Sequence, residues 1–132
     1  MKRIPLLLLL ICLLVSPAST EPWSGAQITV TAGTAIRLVK NRTIAQSLSI
    51  QMHSGGSGRG YVLFAPSGVT CSNGGAGTIL IAELNAATAS AAGGQIVLPN
   101  PGDPQGGPVD VSLYCLDGSN SGDVITTAWN LR

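Results

Sequence analysis

The residues that could do chemistry sit in two loops and at one histidine. The stretch "HSGGSGRGYVLF", residues 53–64, packs four glycines, a serine and an arginine between Gly55 and Gly60. A dinucleotide-binding loop needs glycines spaced G-x-G-x-x-G between a strand and a helix. Gly56 and Gly58 supply the first two, but Tyr61 stands where the third belongs. A P-loop needs Lys and Ser or Thr after its last glycine, and here Tyr61 and Val62 follow Gly60. The continuation is β-prone, so no helix N-terminus is offered to a phosphate. The glycines therefore read as turn residues that join two strands of a hairpin, with Arg59 facing solvent at the tip.

The second loop, "DGSNSGD", covers Asp117 to Asp123. Asp117, Ser119 and Ser121, followed by Gly122 and Asp123, imitate the first half of a calcium-binding loop. The twelfth position is Ala128, where the full motif requires a bidentate glutamate. The segment reads first as a hairpin connection, with calcium as the lesser alternative. His53 is the one histidine of the chain. It lacks the G-x-S-x-G context of a serine hydrolase and the further ligands that zinc requires. Six acids are too few and too scattered to suggest a catalytic carboxylate pair. No catalytic residue, cofactor or metal is assigned.

Charged residues make up only 10% of the chain, and the formal net charge is +1. Arg37, Lys40 and Arg42 cluster, but three bases read as a solvated strand edge. There is no electrostatic footprint for nucleic acid or an anionic membrane. The N-terminal "MKRIPLLLLLICLLVSPAST" has a basic start, an apolar run from Leu6 to Val15 and small residues at Ser16-Pro17-Ala18. That is the layout of a secretory signal peptide over residues 1–18, and the apolar run is short for a membrane span. Its removal leaves Cys71 and Cys115, which an oxidising compartment would pair; two free buried thiols are the alternative. Asn41-Arg42-Thr43 fits a glycosylation sequon, which matters in a eukaryotic secretory pathway.

The elements that must position these residues are short and β-prone. Leu48, Ile50 and Met52 alternate in "SLSIQM". "AQITVTAG" and "TAIRLV" follow the same period, "VDVSLYCL" places Val109, Val111, Leu113 and Cys115 on one face, and "DVITTAWNL" is the closing β-prone run. "YVLF", "TILIA" and "QIVL" are continuous apolar runs suited to strands covered on both sides. Tyr114 and Trp129 read as core residues. "LPNPGDPQGGP", Leu98 to Pro108, is a surface loop. The sum is a single antiparallel β-sandwich or jelly-roll-like domain of about eight short strands over residues 19–132, behind the signal peptide.

Three stretches carry a resemblance. Ser47-Leu48-Ser49-Ile50-Gln51, Gly60-Tyr61-Val62 and Ser121-Gly122-Asp123-Val124 resemble the strand and closing-hairpin motifs of small β-sandwich virion proteins of tailed phages, the head-fibre and tail accessory class. The resemblance implies a structural role without catalytic residues: a module that joins other protein subunits, copies of itself included, or a cell-surface ligand. The expected function is thus a secreted or periplasmic, non-catalytic structural or binding module, with no nucleic acid partner and no membrane attachment after signal cleavage. The alternative is a small extracellular or periplasmic domain that binds carbohydrate or calcium.

Overall fold

The computed structural model describes residues 23–53, 58–87, 93–99 and 106–131. Residues 1–18, expected to be a signal peptide, lie outside them, as do residues 54–57 of the glycine-rich loop and 100–105 of the proline-rich loop. Among the described residues nine strands form two antiparallel sheets: β1 (Trp23–Thr29), β2 (Ile36–Arg37), β3 (Ile44–Met52), β4 (Arg59–Phe64), β5 (Ile79–Asn85), β6 (Gln95–Leu98), β7 (Val109–Asp110), β8 (Tyr114–Gly118) and β9 (Val124–Leu131). The first sheet has the order β1-β9-β3-β6, with β7 also on β3; the second has the order β2-β8-β4-β5. The all-β sandwich expected from the alternation is what the chain forms.

The core lies between the sheets. Leu48, Ile50 and Met52 of β3 meet Ile125 and Trp129 of β9 from one side and Val62, Leu84 and Leu116 from the other. Ala45 is also buried, one residue out of step with that alternation. A bulge between Ala45 and Ser47 absorbs the difference. The Asn130 side-chain oxygen accepts from the Ser47 N–H at 2.8 Å and from its hydroxyl at 2.9 Å, so the bulged backbone keeps a partner.

Two connections differ from the hairpins expected of them. β3 and β4 belong to different sheets, and so do β8 and β9. The chain therefore passes from one sheet to the other between Met52 and Arg59, and again over Asp117–Asp123. Hairpins and arches need the same tight backbone, and the sequence signal is the same for both. The run "VDVSLYCL" also changes sheet. Val109-Asp110 pairs with β3, Val111–Leu113 forms a 3₁₀ turn, and Tyr114 enters the second sheet. Asp110 caps that turn, its carboxylate accepting from the Ser112 N–H at 3.1 Å.

Candidate functional site

At one end of the sandwich the two arches meet. Arg59 N–H donates to Ser119 Oγ at 2.7 Å, and Ser119 N–H donates to the Arg59 carbonyl at 2.9 Å. Asp123 Oδ2 and Ser119 Oγ crowd the place where a side chain would begin at Gly58, so a larger residue there would have to displace them. Gly122 turns the second arch with φ +94°.

This packing sorts the four residues of the calcium-loop pattern. Ser119 and Asp123 come together beside Gly58. Ser121 Oγ instead accepts from the Ala32 N–H at 3.0 Å, in the β1–β2 turn. Asp117 lies on β8 opposite Tyr61, and its carboxylate accepts from the Gly118 N–H at 2.7 Å. Asp117 and Asp123 are 2% and 4% exposed, so these two are not surface residues, whereas Ser119–Gly122 between them form the exposed turn expected of this segment. Asp123 Oδ2 is buried without a hydrogen-bond partner. Among the described residues no three His, Cys, Asp or Glu side chains gather in metal-binding geometry. His53 is exposed at the end of β3. Arg59 is exposed as expected and pairs with Glu83 at 3.1 Å.

The outer face of the second sheet is covered by an excursion of the chain over residues 65–78. Cys71 and Cys115 are bonded, with Cα atoms 6.4 Å apart, and the bond ties this excursion to β8. The Arg37 guanidinium fastens its near end. It donates to the carbonyls of Ser112 at 2.6 Å, Val69 at 2.6 Å, Ala65 at 3.0 Å and Pro66 at 3.4 Å. Beneath lie Leu63, Ala65 and Cys115, all fully buried. Arg37 is thus a half-buried clamp and not part of a solvated edge.

Next to that clamp a cleft of about 240 Å³ opens. Arg37, Lys40, Arg42, Ser67, Asp110 and Ser112 line it. Arg37 has no carboxylate partner among the described residues, and neither has Lys40. Arg42 touches Asp110 at 3.4 Å through Nε, with its side chain largely in solvent. Burial pushes the Asp110 carboxyl up. Hydrogen bonds from Ser112 and Thr43 and the Arg42 charge outweigh that and hold it below the usual carboxylate range. A second cleft, of about 410 Å³, shares Asp110 and Leu113 with the first and is lined by Phe64, Tyr114, Leu98 and Pro99. Phe64 and Tyr114 meet edge to face at 5.6 Å. Burial raises the Tyr114 hydroxyl above its ordinary value. Sequence reasoning singled out the basic cluster but not its neighbours, because Ser67, Asp110 and Ser112 reach it only through the fold.

The far edge of the same sheet is β5, and it is apolar. Ile79, Leu80 and Ile81 are 57%, 46% and 40% exposed. "TILIA" is therefore an edge strand and not one covered on both faces; "QIVL", as β6, is the edge of the other sheet. "YVLF" does match the expectation, with Val62 and Leu63 buried on opposite faces. Trp129 lies in the core as expected, whereas Tyr114 is half-buried at its margin. No protein-family model matches the chain, and no characterised protein or solved structure does.

Proposed function

We propose that the chain is an exported, non-catalytic structural module that assembles with further copies of itself through the β5 edge. The observation that carries this reading is the run Ile79-Leu80-Ile81, three large apolar side chains exposed on a sheet edge. Over Ile79–Glu83 no described strand pairs with the outer side of β5. Open strand edges are templates for another strand, and proteins usually blunt them with charge or proline. Here the blunting is slight: one bulge, which leaves Ile81 as the extra residue, and one charge, Glu83. With five basic and six acidic residues over 19–132, the exported chain is nearly neutral and meets a second copy without long-range repulsion. An extended strand of another subunit would gain the free backbone groups of β5 and cover its apolar side chains.

Export is supported by the leader-like N-terminus and by the Cys71–Cys115 bond, which suits an oxidising compartment. The assembling role agrees with the resemblance to virion accessory proteins. The test is sedimentation of residues 19–132 over a range of concentrations, with and without Ile81→Lys. The reading expects mass to rise with concentration and the lysine variant to stay monomeric. A wild-type chain that is monomeric at every concentration would rule out self-assembly.

A further inference from the structure

The opposite edge of the second sheet carries a feature of different character. Of the seven lysines and arginines in the whole chain, three line one cleft: Arg37, Lys40 and Arg42. Concentrating that share of so few charges in one concavity leaves an excess of positive charge there. Asp110 offsets one unit at most, and its carboxylate is already engaged by Ser112, Thr43 and Arg42. Arg37 spends its terminal N–H groups on four backbone carbonyls, which orient the guanidinium without neutralising it. Lys40 and the terminal nitrogens of Arg42 remain for an incoming oxyanion. Ser67 supplies a hydroxyl in the same lining.

The size and neighbours of the cleft narrow the ligand class. At about 240 Å³ it suits a single charged group. The adjoining cleft offers the aromatic pair Phe64 and Tyr114 with Pro99 and Leu98, an apolar surface for a ring. We propose that the two clefts form one binding site for an acidic saccharide, its carboxylate or sulfate between Lys40 and Arg42 and its sugar ring toward Tyr114. A nucleic acid or an anionic membrane fits less well. Both reward a broad basic surface, whereas this charge is confined to a concavity on a nearly neutral chain.

This inference stands apart from the edge-strand reading. β2 and β5 are opposite edges of the sheet, so Ile81→Lys should leave the cleft unaffected. The experiment is a titration followed by backbone amide chemical shifts at constant ionic strength. The probes are glucuronate, glucose 6-sulfate, glucose, inorganic sulfate, and vesicles containing phosphatidylglycerol. Saturable shifts at Ser67, Gly68 and Ser112 are expected with the two acidic sugars, and weaker ones with sulfate. Lys40→Ala with Arg42→Ala should weaken acidic-sugar binding about tenfold or more. Arg59→Ala, outside the cleft, should not change it. Tyr114→Leu should erase the preference for acidic sugar over sulfate while leaving sulfate binding in place; its melting curve checks that the fold survives. No saturable shift with either sugar would overturn the proposal. So would equal binding of sulfate and sugar, loss of binding in the Arg59 variant, or binding to vesicles alone.

Discussion

Val62 and Leu63 are consecutive residues of β4, equally buried and covered by different means. Val62 points into the space between the sheets, where alternating strands from both sides close over it. Leu63 points the other way, under the 65–78 excursion, which has no strand of its own. The inner face is held by apolar packing among regular elements. The outer face is held by a covalent bond at Cys71–Cys115 and by the four carbonyls on Arg37. A sheet face can be buried without a second sheet, provided that cross-links hold the cover in place. The cover then depends on two cross-links made by three side chains, whereas the core depends on many.

That difference can be broken most directly at the disulfide. Cys71→Ala with Cys115→Ala should cost about 3–4 kcal/mol, the value the chain-entropy model gives for a loop of this length. Hydrogen exchange should rise first over residues 65–78 and only later in β3 and β9. Arg37→Ala comes next, at about 2–3 kcal/mol, because one charged donor group serves several partly buried carbonyls. Urea unfolding measures it, and Arg37→Lys should restore little, since a single ammonium cannot copy the planar fork.

Asp110→Ala should cost about 1 kcal/mol through the lost cap of the 3₁₀ turn. The native carboxyl titrates below its unfolded value, so its contribution is complete above about pH 4 and fades as pH falls through the lowered native value. Melting temperature against pH should therefore decline less steeply on the acid side in the variant. Arg59→Ala should change stability by about 0.5 kcal/mol or less, because its pairing with Glu83 is exposed to solvent. A larger loss there would show that the arch end relies on that side chain, and a thermal melt is enough to tell.

The two faces also differ in how far they could be read from sequence. Alternation at Leu48, Ile50 and Met52 identifies β3 and its buried side, and Trp129, a large aromatic within a β-prone run, reads as the core residue it is. The cysteine count predicts the bond that holds the outer cover. Period-two patterning says that a segment is a strand but not which sheet it joins. "VDVSLYCL" hence reads as one strand although it leaves one sheet at Asp110 and enters the other at Tyr114. "TILIA" and "YVLF" look alike in sequence, yet one is an edge and the other is central. Arg37 reads as an ordinary surface base because its partners are backbone carbonyls, which no residue type announces. Asp117 likewise reads as a turn residue because its burial depends on strands distant in sequence.

The proposal that β5 is an assembly edge is tested most directly at its own amides. Ala86 N–H donates to the Gly58 carbonyl, so by strand alternation Leu84 and Ala82 face β4 and the Glu83 amide points outward. Hydrogen exchange at Glu83 should be fast in dilute protein. It should slow as concentration rises through the self-association range, while Ala82 stays protected throughout. Exchange at Glu83 that remains fast at every concentration, in a protein shown to be assembled, would place the interface elsewhere and contradict the account.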